Sequence, residues 1–195
     1  MGIDRIAKYA SLYGLGNPLG ITLGNEKSGI APSSIWKKKT LGQKWYPGET
    51  ISVAIGQGYT SVTPLQLATI ISAVANGGKV YKPSLVKRIE SPEGKIIKDF
   101  KPQLIRSIPL RASTLDIIRK GLWGVVNEPR GTGSKARVPG IEAAGKTGTA
   151  QIVALGKGGG EKGPMHLQDH AWFVCYAPFD HPKIAMAILA EHSGK

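Results

Sequence analysis

A chain of 195 residues is long enough for one domain with a sizeable core, and 41% hydrophobic content with 26 glycines and 13 prolines describes a globular, loop-rich protein, not a disordered one. No apolar run approaches the roughly 20 residues of a membrane helix, and Met1-Gly2-Ile3-Asp4-Arg5 has no signal-peptide core, so any targeting segment is expected outside these residues. The net charge of +13 is scattered, without a helix-turn-helix, zinc-finger or RNP pattern, which argues against a nucleic-acid partner and suits an anionic cell envelope.

Ile6, Ala7, Ala10 and Tyr13 recur at helical spacing and Gly14 closes the run, so residues 4–13 read as a short amphipathic helix. The stretch from Leu15 to Gly58 reads as loop, with Lys37-Lys38-Lys39 and Lys44 among Trp36, Trp45 and Tyr46 as a solvated segment anchored by aromatics. Thr63-Pro64-Leu65-Gln66 is a capping box with proline at the first helical position; it opens an apolar, buried helix from Leu65 to Ala75 that Asn76-Gly77-Gly78 stops. Residues 79–106 read as a strand pair around Ser91-Pro92-Glu93-Gly94, and Ser113-Thr114-Leu115-Asp116 as the cap of a helix reaching Asn127. Three strands close the chain, at 142–153, 170–178 and 182–191. The turn Phe179-Asp180-His181-Pro182 makes the last two antiparallel, and their apolar runs predict strands buried on both faces under helices on both sides.

The run Gly145-Lys146-Thr147-Gly148-Thr149-Ala150-Gln151 fits two signatures. With Gly140 in front it is G-x-x-x-x-G-K-T, the formal phosphate-binding P-loop; alone it is the K-T-G of penicillin-binding proteins and serine β-lactamases. A P-loop needs a buried apolar strand before it and a helix after it. Here Lys135-Ala136-Arg137-Val138-Pro139 is too polar and interrupted, Ile141-Glu142-Ala143-Ala144 would crowd a phosphate, and the segment after Thr149 meets Gly156 before a helix could complete two turns. Lys146 is therefore expected within a β-strand, with Thr147 and Thr149 on one face and Lys146 and Gly148 on the other.

Beyond K-T-G, the blocks GIDRIAKYASLYGLG, NEKSGIAPSSIWKKK, KWYPGETISVAIGQGYTSVTPLQLATIISAVANGG, VVNEPRGTG, AGKTGTAQ and DHAWFVCYAP, in this order, resemble the C-terminal half of the transpeptidase domain of class B penicillin-binding proteins of the elongation type. The resemblance implies an α+β fold of the penicillin-binding protein and serine β-lactamase kind, an antiparallel sheet flanked by helices, present as a partial domain over 1–195. Residues 1–140 would be its mainly helical and loop part and 141–195 three sheet strands including the K-T-G strand. It further implies a serine-type D,D-transpeptidase that cross-links peptidoglycan stem peptides and is acylated by β-lactams. Such an enzyme would be anchored in the bacterial inner membrane with its catalytic domain on the periplasmic face. It would work with a membrane glycosyltransferase and cell-elongation proteins, and without cofactor or metal.

In that reading Lys146 supplies the cation, the hydroxyls of Thr147 and Thr149 meet the substrate or β-lactam carboxylate, the Thr149 N–H is half of the oxyanion hole, and Gly148 leaves room for the acyl chain. Gln151 would line the substrate groove, and Gln57 and Tyr59 resemble substrate-binding positions packed near it, the alternative being a purely structural role for their Gly-rich turn. The family's S-x-x-K and S-x-N precede K-T-G, yet no serine here stands two residues before an asparagine. Of the two S-x-x-K strings, Ser34 to Lys37 leads into consecutive lysines and Ser84 to Lys87 lies in an extended run, so neither suits a nucleophile that must open a buried helix. The chain is expected to hold one wall of an active site without its nucleophile. A non-catalytic envelope-protein binding module is the competing reading. His166 and His170, four residues apart with Asp169 and Cys175 near, could ligate a metal only on a helix, and the glycines at 156–163 before Pro164 predict a loop there.

Overall fold

The computed structural model describes residues 2–22, 24–151 and 164–193. Helix α1, Ile3–Leu12, buries Ile3 and Ala7 and ends where Gly14 takes a left-handed φ of 98°. The stretch expected as loop then carries two further helices. Helix α2, Ser34–Leu41, starts where the Ser33 hydroxyl accepts the Trp36 N–H at 2.9 Å and stops at Gly42 with φ of 66°; α3, Pro47–Ala54, begins with proline, and Glu49 accepts the Tyr46 N–H at 2.9 Å. The pair is joined through Lys37, only 1% exposed, which ion-pairs with Glu49 while its ammonium lies 4.9 to 5.8 Å from the ring centres of Tyr46, Tyr59 and Trp45.

Helix α4, Pro64–Ala75, has the capping box read from sequence: Thr63 Oγ1 accepts the Gln66 N–H at 3.2 Å and Gln66 Oε1 accepts the Thr63 N–H at 3.0 Å. The Gln66 side chain, fully buried, also donates through Nε2 to the carbonyls of Gly14, Asn17 and Ser28, and so fastens the loop after α1 to the start of α4. The helix is apolar all round because it is covered on two sides. Ala73 packs with Val80 and Ile108 of the hairpin that follows, while Ile71 and Ala75 pack with Ala144 and Tyr176 of the main sheet.

That hairpin is one excursion with two antiparallel ladders: β1, Lys79–Tyr81, pairs with β4, Leu104–Ser107, and β2, Arg88–Glu90, pairs with β3, Ile96–Asp99, around the turn at Gly94. Helix α5, Ala112–Asn127, starts two residues earlier than a cap at Ser113 suggests. Arg111 is the cap residue, in extended conformation, and no side chain caps the helix.

The main sheet is antiparallel in the order β5-β6-β7, with β5 Ala144–Ala150, β6 His170–Ala177 and β7 Ile184–Ala190. All three strands fall within the expected ranges; residues 152 and 153 of the first expected strand, and the Gly158-Gly159-Gly160 loop, lie outside the described residues. The expectation of burial on both faces fails for β7. Both α4 and α5 touch the sheet and each other, so among the described residues these helices cover one face. Ala185, Ala187 and Leu189 are half-buried beneath them, while Ile184, Met186 and Ile188 on the other face are exposed.

Candidate functional site

Strand β5 begins where its backbone can lie close to β6. Gly145 stands opposite Cys175, and a β-carbon there would fall 2.6 Å from the Val174 carbonyl oxygen and 2.8 Å from the Phe173 ring, so only glycine fits this close approach. Register then places Lys146 opposite Val174, Thr147 opposite Phe173, Gly148 opposite Trp172 and Thr149 opposite Ala171. Lys146 is mid-strand, so K-T-G is a strand motif here and the P-loop geometry, a lysine in the first turn of a helix, is excluded. Alternation puts Thr147 and Thr149 on the face of Phe173 and Cys175, and Lys146 and Gly148 on the face of Ala144 and Val174.

The backbone of β5 is exploited along its outer edge. Within the described residues β5 has one ladder partner, β6, so its other edge is free. The Thr147 carbonyl accepts from Lys146 Nζ at 2.8 Å, and the Thr149 carbonyl accepts from Gln57 Nε2 at 2.8 Å. In an antiparallel strand the N–H and C=O of one residue point to the same side, so the amides of Thr147 and Thr149 also face that free edge. Two peptide N–H groups thus stand 2 residues apart beside a lysine, which is the arrangement that accepts an anion.

The loop after α5 adds a residue that sequence reading did not single out. Thr132 and Thr147 hydroxyl oxygens are 2.9 Å apart, which fixes the Thr147 side chain. The loop is well held. Arg137 donates to the carbonyls of Val126, Asn127 and Glu128 at 2.5 to 2.9 Å, supplying positive charge and donors to the helix end, and Asn127 Nδ2 reaches the Ala143 carbonyl at 2.8 Å just before β5. Gly131 packs so tightly on α5 that a β-carbon would meet the Val125 carbonyl at 2.2 Å. The signal for Thr132 was the Arg130-Gly131-Thr132-Gly133 block; its contact with Thr147, 15 residues on, depends on where the loop folds.

Gln151 follows β5 and is exposed. Tyr59 is half-buried, its hydroxyl 3.4 Å from Glu49 Oε1 and its ring tilted on Trp36. Ser34 does open a helix, against the sequence reading, because the Ser33 cap and the Lys37–Glu49 pair stabilise a turn that hydrophobic periodicity does not show. Yet its hydroxyl is bound by both carboxylate oxygens of Asp4 at 2.8 Å and Lys37 is bound to Glu49, so no lysine is available to activate that serine. Ser84 lies outside helix and strand in exposed chain, donating to the Val86 carbonyl at 3.0 Å. His170 is in β6, where its Nδ1 accepts the His192 N–H at 3.0 Å, and no cluster of three metal-ligating side chains occurs among the described residues. Cys175 is buried, and burial pushes its thiol pKa up, which makes it inert.

An antiparallel sheet with a mid-strand K-T-G at its open edge defines the class to which the chain compares: the penicillin binding protein transpeptidase domain family matches residues 1–195, and the chain belongs to that family. Among characterised relatives it is 37% identical to the peptidoglycan D,D-transpeptidase MrdA of Haemophilus influenzae, over 203 aligned residues that cover all of this chain and 30% of that protein. Among solved structures it matches Pseudomonas aeruginosa PBP2 in complex with WCK 5153 at 37% identity and a TM-score of 0.78, covering 99% of this chain and 39% of that one. It also matches PBP2 of Helicobacter pylori in a complex with MreC, at 31% identity and a TM-score of 0.80, covering 100% and 33%. The chain therefore spans about a third of the length of these relatives, and the fold is the α+β transpeptidase fold.

Proposed function

We propose that these residues form the K-T-G wall of a peptidoglycan D,D-transpeptidase, the C-terminal half of its transpeptidase domain. The activated serine would be supplied from outside residues 1–195. The observation that carries this reading is the open edge of β5, with the exposed ammonium of Lys146 and the outward amides of Thr147 and Thr149 in one row. The exposure of Ile184, Met186 and Ile188 on one face of β7 supports a partial domain.

In the proposed reaction the serine hydroxyl attacks the substrate carbonyl and the oxyanion is received by N–H donors including that of Thr149. The C–N bond then breaks with the proton passing to the departing nitrogen. A β-lactam follows the same course with its ring nitrogen, which stays tethered. Lys146 lowers the cost of the developing negative charge, while the Thr147 and Thr149 hydroxyls receive the terminal carboxylate and Gly148 leaves space for the acyl chain. Gln151 continues the groove past the strand, with Gln57 and Tyr59 behind it. The resemblance, and the MreC complex of a relative, support a membrane-anchored enzyme on the outer face of the inner membrane, partnered by cell-elongation proteins and a membrane glycosyltransferase. Among the described residues no helix is long and apolar enough to cross a membrane.

Mass spectrometry after benzylpenicillin treatment tests this. The full-length protein bearing this chain should gain one adduct, on a serine of an S-x-x-K outside residues 1–195, and the 195-residue chain alone should gain none. An adduct on Ser34 or Ser84 would overturn the assignment.

A further inference from the structure

Gln57 makes the contact that reaches furthest along the chain into the K-T-G strand: its Nε2 donates to the Thr149 carbonyl across 92 residues. The turn that carries it is built to hold it still. Gly56 and Gly58, on either side, both take left-handed φ values, 79° and 70°, and the Gln57 N–H is bound to the Ser52 carbonyl at 2.9 Å. On the N-terminal side the turn continues α3, which the buried Lys37–Glu49 pair fixes to α2. On the C-terminal side Tyr59 leans on Glu49 and Trp36, and Ser61 bridges to Ile30 through two backbone hydrogen bonds of 2.7 and 3.2 Å. A side chain on so constrained a support is a fixed strut.

What the strut touches gives it a role. The Thr149 carbonyl and the Thr149 N–H project from the same edge of β5, because both belong to one residue of an antiparallel strand. That edge lacks a neighbouring strand among the described residues, so no ladder holds the end of β5 on that side. We propose that Gln57 is a positioning residue: its carboxamide takes the place of the missing strand and sets the tilt of the β5 end, and so the aim of the Thr149 N–H at the oxyanion. The inference rests on the transpeptidase reading above. It gives Gln57 a different part from groove lining. A carboxamide that binds substrate would act on affinity, whereas one that orients an oxyanion donor acts on the chemical step, since the donor is worth most where negative charge develops.

The experiment uses the full-length protein with Gln57→Met, which keeps the length and removes the donor, and Gln57→Glu, which keeps the shape and replaces the donor with an acceptor. Stopped-flow acylation by a chromogenic cephalosporin separates the non-covalent dissociation constant from the acylation rate constant, and infrared spectroscopy of the acyl-enzyme reads the ester carbonyl stretch. Both variants should lose at least tenfold in acylation rate constant with the dissociation constant changed less than twofold, and the ester carbonyl should shift to higher wavenumber as its hydrogen bonding weakens. Wild-type rate constants in both variants, or a tenfold weaker dissociation constant with the rate constant and carbonyl frequency unchanged, would overturn the positioning role. Failure of the wild-type protein to be acylated would instead overturn the transpeptidase reading on which the inference stands.

Discussion

Replacing Gly145 by alanine tests the register that places the whole K-T-G motif. The new methyl would sit 2.6 Å from the Val174 carbonyl oxygen, 2.8 Å from the Phe173 ring and 3.0 Å from the Cys175 β-carbon. Carbon contacts are comfortable at about 3.5–4.0 Å, so β5 and β6 must part by several tenths of an ångström at their shared ladder. Two of the three neighbours are backbone or the rigid root of a side chain, so little of the strain can be relieved by rotation. Overpacking of this kind costs about 1–3 kcal/mol. In a domain of this size that amounts to roughly 2–4 °C of melting temperature per kcal/mol, so Gly145→Ala should melt about 2–12 °C lower. Because the shift displaces the strand that carries Lys146 and Thr149, acylation by a fluorescent penicillin should fall with it, by up to about a hundredfold for a displacement near 1 Å. Gly148→Ala is the control: its β-carbon meets Trp172 at 3.4 Å, an ordinary contact, so its melting temperature should hold while acylation drops if the acyl chain passes there. Differential scanning fluorimetry and a gel-based labelling time course read both quantities. A Gly145→Ala protein that melts and acylates like wild type would refute the β5–β6 register.

Three other outcomes follow from local geometry. Gln66→Met removes two buried N–H donors shared by the carbonyls of Gly14, Asn17 and Ser28, together with half a capping box; at about 1–3 kcal/mol for each lost donor urea denaturation should show a loss of about 2–6 kcal/mol, and an unchanged midpoint would contradict the network. Thr132→Val frees the Thr147 hydroxyl; a hydrogen bond worth about 0.5–1.5 kcal/mol predicts a twofold to tenfold slower acylation that is absent in a Thr147→Val background, and additive effects would show that the two hydroxyls act separately. Glu49 is held below its ordinary pKa of 4.5 by the hydrogen bond from Lys37, and Lys37 above its ordinary 10.5 because the hydrogen bond and charge of Glu49 outweigh the opposing effect of burial. A lowered carboxyl stabilises above its unfolded value and ceases to do so as pH falls through the folded one, while a raised ammonium stabilises below its unfolded value and ceases to do so as pH rises through the folded one. The pair therefore stabilises from about 4.5 to 10.5, and the melting temperature should fall as the pH drops below this range, with a smaller acid slope in Glu49→Gln; equal slopes would remove Glu49 from the acid transition.

The elements legible in the sequence were those whose signals are local. The capping box at Thr63 and Gln66 and the turn at Gly94 are completed within a few residues, so the sequence states them in full. Helix α2 was hidden because Ser34-Ile35-Trp36-Lys37-Lys38-Lys39 has no apolar stripe. Its stability comes from Lys37 meeting Glu49 twelve residues away inside a ring of aromatics, and a lysine run reads as solvated until that partner is placed. The face of β7 was misread for a related reason. A continuous apolar run states that a strand can be covered on both sides, while the coverage itself depends on what packs there, and here α4 and α5 share one side. At the candidate site, the placement of Lys146, Thr147, Gly148 and Thr149 along one strand was legible because the motif and its strand periodicity coincide. The partners that aim them, Thr132 and Gln57, come from 15 and 92 residues away, and only the fold brings them to β5.

Whether β5 is the wall of an acyl-transfer site is read out by the second-order rate of acylation of the full-length protein by benzylpenicillin in wild type, Lys146→Ala and Thr147→Ser. Removing the ammonium that faces the developing negative charge costs far more than trimming a methyl group and keeping the hydroxyl. Lys146→Ala should lose about a hundredfold or more and Thr147→Ser less than about tenfold. Equal rates for Lys146→Ala and wild type would contradict that role for β5.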